Sequence, residues 1–248
     1  TITNVGSSSQ YGAVTIFGGS TNTVDNCVLD GGYAGVYITG SSYNVITNCA
    51  ISGFTYAIMI RDKSHNTISQ NTIHDCSYGI MAYDSDDLIS SNVIYDVQNE
   101  AIRLQNSQNH VVKDNVISTS KYGLDTSNCE NLTVVNNTVQ NCDYGMYITT
   151  NKGVIKDNSI SNCDEGLILW GSRSCGVYGN NITGCLYSNF GIEGDYDDIS
   201  EFIHDVALNN TVDGRPVYYV KDASGVVIDL SLIHISEPTR PLYNSYAV

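Results

Sequence analysis

Basic residues are scarce in this chain. Lys and Arg total 11 against 26 Asp and Glu, a net charge of −15. A phosphate backbone or an anionic bilayer needs a basic face, so nucleic acid and anionic membrane are disfavoured as partners. The balance suits a secreted or cell-surface protein. Proline is rarer still, 3 in 248 residues. No run of 18 apolar residues exists, which excludes a helical membrane span. No CxxC pair and no Cys/His metal spacing occurs among the eight cysteines. No stretch keeps helical periodicity for a useful length. The chain begins at Thr1, in the middle of a unit, as an internal fragment would. A missing leader therefore says nothing about export.

What is present is a register. Cys27, Cys49, Asn71, Asn92, Asn115, Asn137, Asn158 and Asn180 recur at steps of 22, 22, 21, 23, 22, 21 and 22 residues. Three positions earlier sit Val24, Ile46, Ile68, Ile89, Val112, Val134, Ile155 and Val177. Two positions later sit Leu29, Ile51, Ile73, Ile94, Ile117, Val139, Ile160 and Ile182. Within a unit, apolar residues alternate with polar ones in short runs divided by Asn, Ser, Asp and Gly, which is strand patterning with turn punctuation. One unit cannot bury its own apolar face; stacked coils can, at about 4.8 Å per coil. The expected fold is all-β, a single-stranded parallel solenoid of about eight coils of 21–23 residues. Such a rod is roughly 40 Å long.

Other ladders follow. Gly35, Ala57, Gly79, Ala101, Gly123, Gly145 and Gly166 form a small-residue column, which predicts a tight corner or a positive φ. Ser20, Ser42, Ser64, Ser85, Ser107 and Cys129 form another. Ala13 extends the small-residue column backward into a partial coil. Stacked Asn amides are expected to hydrogen-bond along the rod axis. Cys76, Cys142, Cys163 and Cys185 share one position, and stacked neighbours fall within disulfide reach. Three in a row cannot all pair, so buried free thiols are expected.

After each small residue comes a strand whose outward positions form two columns: Tyr37/Thr39, Met59/Arg61, Met81/Tyr83, Arg103/Gln105, Asp125/Ser127, Tyr147/Thr149 and Ile168/Trp170. Aromatic rings stack on sugar C–H faces and fixed polar groups bond hydroxyls, so Arg61, Tyr83, Arg103, Gln105, Asp125, Tyr147 and Trp170 form the candidate ligand-binding face. Asp125 beside Arg103 is the candidate catalytic pair, a base next to an electropositive group, and equally a cross-strand ion pair. No second carboxylate joins Asp125 in those columns, where a glycosidase needs two. Met59 and Met81 stack as soft Cu(I) donors without a His or Cys column beside them. Asn131, Asn136, Asn181 and Asn209 open N-x-S/T sequons.

The recurring N-x-I-x-x-C-x-x-G-I-x-I, seen in 71–82, 137–148 and 158–169, resembles the parallel β-helix repeat of the NosD-like, or CASH (carbohydrate-binding and sugar hydrolysis), group over roughly residues 12–192. The resemblance implies a right-handed helix, export to the periplasm or cell surface, and polysaccharide contact; NosD itself is associated with copper delivery to nitrous oxide reductase. Residues 210–219, with the following VKDASGVVI, resemble a segment that links or closes such helices. Tyr122-Gly123-Leu124-Asp125 is similar to the start of the Y-G-[FI]-D-P-H-D motif of alginate epimerases, but Thr126 and Ser127 replace the Pro and His. The paired Asp and Gly-His-Gly motifs of polygalacturonases are absent.

The register is expected to end after Cys185. The division is then 1–194 for the repeats, 195–229 for an acidic loop and closing strands, and 230–248 for a tail. The loop at 194–201, GDYDDISE, is a candidate Ca²⁺ binder without EF-hand spacing; no other cofactor is expected. Residues 230–248 resemble translated sequencing-adapter DNA and are set aside. The functional expectation is a non-catalytic, exported or cell-surface repeat domain that binds polysaccharide or a surface partner. The alternatives are a polysaccharide lyase, hydrolase or epimerase using Asp125 and Arg103, and a periplasmic copper-delivery factor.

Overall fold

The computed structural model describes residues 2–3, 12–62 and 65–220. Ser64 and the adapter-like tail lie outside the described residues. The chain winds as a parallel solenoid with three strands per coil. The first face is a nine-stranded sheet running from Thr23–Asp25 to Asp205–Val206. The second and third faces belong to one sixteen-stranded sheet that bends round a corner. In some coils a single strand makes both, as in Val28–Thr39, Ala50–Arg61 and Val93–Gln105. In others it breaks at the corner, as in Thr72–Cys76 and Tyr78–Tyr83.

The expected interior files are present. Ile46, Ile68, Ile89, Val112, Val134, Ile155 and Val177 pair directly, coil on coil, and are fully buried. Ile51, Ile73, Ile94, Ile117, Val139, Ile160 and Ile182 do the same on the second face. The third face contributes two files, through Ile58–Ile80–Ile102–Leu124 and Ile60–Ala82–Leu104–Thr126. The partial first coil exists: Gly12–Phe17 pairs with Ala34–Thr39.

Corners are made by single left-handed residues. Asn26, Asn48, Gln70, Ser91, Asp114, Asn136 and Asp157 all have φ between 52° and 58°, apart from one another by one coil. Each precedes a ladder residue, so the kink turns the next side chain inward. The abundance of Asn and Asp follows, because their short polar side chains tolerate this conformation best. The inward Asn side chains then hydrogen-bond along the rod. Asn115 Oδ1 accepts from both the backbone N–H and the side-chain amide of Asn92, each at 3.0 Å. Its own Nδ2 donates to Asn137 Oδ1 at 2.9 Å and to the Ile89 carbonyl at 3.0 Å. Every polar group of the amide that burial would orphan is satisfied. The ladder extends one rung further than expected, to Asn210.

Three expectations change. The small-residue column has no positive φ. Its cause is close approach at the corner: a Cβ on Gly79 would collide with the Ala101 carbonyl oxygen. The serine ladder mixes two columns. Ser20 and Ser42 bridge each other on the outside, whereas the buried column is Ser41, Ser85, Ser107, Cys129, Thr150 and Ser172. The turn after Arg61 is the reason: Arg61 pairs with Tyr83 at a step of 22, but Thr67 with Leu88 at 21. Finally, the register does not end at Cys185. Ser188–Glu193 pairs with Glu165–Trp170, and after an inserted loop Asp205–Val206 and Thr211–Val212 rejoin the first and second faces.

Removing the amide in Asn115→Ala leaves the Asn92 backbone N–H and one of its side-chain amide hydrogens buried without their acceptor. It should cost about 2–5 kcal/mol in urea unfolding, whereas Asn181→Ala, an exposed rung, should cost under about 1 kcal/mol. Thr119, β-branched at φ 54°, should gain about 1 kcal/mol on replacement by Gly.

Candidate functional site

The third face carries the candidate residues as expected, in two columns. Thr39, Arg61, Tyr83, Gln105 and Ser127 pair in sequence, and so do Tyr37, Met59, Met81, Arg103, Asp125, Tyr147 and Ile168. A third outward column lies beside them: Tyr56, Tyr78, Glu100, Tyr122, Tyr144 and Glu165. Sequence reading missed it because these residues sit immediately before the small-residue corner. The recurrence of Tyr or Glu one position ahead of each Gly or Ala from Ala57 to Gly166 was the available signal.

The third column changes the chemistry. Arg103 Nη1 donates to Asp125 Oδ2 at 2.7 Å and to Glu100 Oε1 at 2.9 Å. A second carboxylate joins Asp125 from outside the two expected columns, and the two share one guanidinium nitrogen. Asp125 is only 9 % exposed. Burial pushes its carboxyl above the ordinary value, Arg103 pulls it down, and Glu100 adds to the rise. Glu100 Oε2 is buried without a hydrogen-bond partner.

The aromatic residues do not offer open ring faces along the whole surface. Tyr56 and Tyr78 stack on each other at 4.9 Å, and Tyr122 and Tyr144 at 4.5 Å, so those faces are taken. Arg61 lies over the Tyr83 ring at 5.3 Å. Tyr147 stacks against Trp170 at 6.2 Å, and Trp170 remains 44 % exposed; Phe17, beside Thr39 at the other end of the face, is more open still. Beside them Glu165 and Glu193 are both raised by burial, and Glu193 raises Glu165 further. Burial, then Glu193, pushes the Tyr147 phenol up to about 12. Met59 and Met81 are stacked as expected, but only 3 % and 2 % exposed. Covered in this way, their thioethers are not presented at the surface.

The acidic loop is tied to the rod. Arg173 Nη2 donates to Asp198 Oδ2 at 2.7 Å and Glu201 Oε1 at 2.6 Å, and the Asp195 N–H donates to Glu201 Oε2 at 2.8 Å. The Ser200 hydroxyl and the guanidinium hold Asp198 down to about 2. Its carboxylates face a guanidinium where the Ca²⁺ reading needs a cation. Among the described residues no group of three or more His, Cys, Asp or Glu is arranged to hold a metal ion. A depression of about 400 Å³ beside Val154, Tyr178 and His204 contains none of the expected face residues. No helix among the described residues is long and apolar enough to cross a membrane.

These features define a right-handed parallel β-helix protein with a polar, aromatic third face. The family model described as right handed beta helix region matches residues 1–139, and that of the periplasmic copper-binding protein (NosD) matches residues 96–229. Each covers more than half of the chain, which belongs to the NosD-like β-helix family. Among solved structures it is similar to the mannuronan C-5 epimerase AlgE6 A-module of Azotobacter vinelandii, at 15% identity and TM-score 0.65, over 84% of this chain and 66% of that one. The AlgE4 A-module from the same organism matches at 16% identity and TM-score 0.59, over 81% and 65%. The enzymatically active domain of tailspike protein 2 from bacteriophage CBA120 matches at 12% and 0.57, over 80% and 43%. The chain spans less than two thirds of the length of these structures. At such identities the likeness is one of fold alone. No curated protein matches.

Arg103→Ala would leave Glu100 and Asp125 facing each other half-desolvated. We expect a loss of about 2–4 kcal/mol at pH 7. The sign with pH is fixed: without the guanidinium the Asp125 carboxyl rises further, protons bind the folded state more tightly, and stability recovers as pH falls toward 5. Urea unfolding at the two pH values checks this; a pH-independent loss contradicts it.

Proposed function

We propose that this chain is an exported β-helix domain that binds a neutral polysaccharide along its third face without chemical turnover. The observation that carries this reading is the occupied guanidinium. Arg103 is clamped by two carboxylates, so it is not free to receive a uronate or sulfate. Glu165 and Glu193 add negative potential to the same face. A neutral glycan meets what is left: phenol edges, amide and hydroxyl groups, and the open Trp170 ring. Coil spacing of about 4.8 Å approximates one sugar residue along an extended chain, so columns can be read one unit per coil. Location outside the cytoplasm is supported by the family match, whose printed name is periplasmic, and by the −15 charge.

One observation favours a second reading. Two carboxylates on one nitrogen, with Asp125 raised by burial, resemble the paired acids of glycoside hydrolysis. Against it, Arg103 occupies the space between them, where a scissile bond would lie. The copper reading has the matched family name behind it, and the stacked Met59 and Met81, which are covered.

A glycan array with the purified chain, run beside reducing-sugar and unsaturated-product assays, separates these. Binding to neutral polymers without product is expected, weakened roughly tenfold, about 1.4 kcal/mol, in Trp170→Ala. Turnover that disappears in Asp125→Asn would establish the enzyme instead. Preference for polyuronates would defeat the neutral-glycan reading, and tight Cu(I) uptake in a titration would favour metal delivery.

A further inference from the structure

The cysteines, all free, hold one arrangement the face does not use. Ser120, Cys142, Cys163 and Cys185 stand in one column at the corner between the second and third faces. Adjacent rungs are joined by backbone hydrogen bonds: Asp143 N–H to Ser120 O at 3.2 Å, Asp164 N–H to Cys142 O at 3.1 Å, and Leu186 N–H to Cys163 O at 2.9 Å. Left-handed residues precede each thiol, at Asn141, Asn162 and Gly184, and turn it inward. Stacked rungs place the Cα atoms about 4.8 Å apart, inside the disulfide range. The three differ in access. Cys142 and Cys163 are buried, at 4 % and 2 % exposed, whereas Cys185 is partly open.

We propose that this column is an oxidation site in which Cys185 is the entry thiol, Cys163 the resolving thiol and Cys142 the proton acceptor, with a low-molecular-weight disulfide as the oxidant. The Cys185 thiolate attacks one sulfur of the external disulfide, the S–S bond breaks, and one thiolate leaves. Cys163 then gives its proton to the Cys142 thiolate and attacks the Cys185 sulfur, expelling the second thiolate. The products are a Cys163–Cys185 disulfide and two equivalents of small thiolate, which take protons from water; Cys142 keeps the Cys163 proton and is not oxidised. Electrons balance, since the two protein sulfurs lose the pair that the external disulfide gains.

Hydrogen bonding supports these roles. The Cys163 thiol between them draws Cys142 down to about 7 and lowers Cys185, while Cys163 itself is raised. The Ser120 hydroxyl lies 3.3 Å from Cys142 Sγ and adds to that stabilisation. The outer two thiols are thus the ones with thiolate character, and reactivity follows the thiolate. The remaining buried thiols, Cys76, Cys129, Cys49 and Cys175, are raised by burial and are expected to stay inert.

The test is to incubate the full chain with glutathione disulfide and map the products by mass spectrometry. A single internal bond between Cys163 and Cys185 is expected, with a raised melting temperature because the staple fixes the coil before the 195–203 loop. Cys185→Ser should abolish the reaction. Cys142→Ser should accumulate the mixed disulfide at Cys185 and slow its closure at least tenfold at pH 7, with recovery as pH rises and bulk base takes the proton. Circular dichroism and an unchanged melting temperature of the reduced variants control for folding. Oxidised wild-type protein without a Cys163–Cys185 bond overturns the site. Closure in Cys142→Ser at the wild-type rate throughout the pH range overturns the proton-acceptor role.

Discussion

The structure depends on one repeated device: a single left-handed residue followed by a side chain turned into the rod. A coil can hold more than one such kink, at Asn48 and Gly53 for example, before the buried Cys49 and Phe54. The backbone conformation costs about 1 kcal/mol wherever the residue is not Gly, Asn or Asp. It is recovered from the inward neighbour, whose side chain continues a file along the axis. The Asn file does this through hydrogen bonds that satisfy each amide completely. The aliphatic files do it by burial between identical shapes. Because each file is continuous, one altered rung disturbs only its two neighbours, which is the energetic logic of repeat proteins.

That device explains what the sequence could reveal. Identical residues that must meet along the axis leave a period, so Ile46, Ile68 and Ile89, and the Asn file, were readable. Turns need not keep count. The turn after Arg61 is one residue shorter in the next coil, and the serine column was placed one position out as a result. The insertion between Glu193 and Asp205 hid the resumed register, although Asn210 carries the same signal thirty residues beyond Asn180. Glu100 escaped notice for another reason. Its column precedes a corner, and the strand that joins the second face to the third was not expected to run through it.

On the face, packing decides chemistry more than composition does. A column of tyrosines suggests ring faces for sugar stacking. Stacked at 4.5–4.9 Å, those rings satisfy one another and turn edges and hydroxyls outward. What they present is hydrogen-bonding groups, while open rings stand at the two ends of the face, at Phe17 and Trp170. The central methionines are likewise covered, so the apparent flat sheet is a layered surface.

Arg103 then sets the sign of the face. A free guanidinium on a sheet would attract carboxylate or sulfate bidentately. Here both acceptors are supplied internally, by residues three positions and one coil away. Desolvation explains why this arrangement is retained rather than diluted by solvent: Asp125 is almost fully covered, and an uncompensated carboxylate there would be costly. The neighbouring coils have no freedom to rearrange, since each strand is hydrogen-bonded on both sides. A ligand bound as proposed would meet donors and acceptors already fixed at coil spacing, and ordering of the protein would add little to the cost of association. Such a surface can discriminate by charge and spacing alone, without an enclosed pocket.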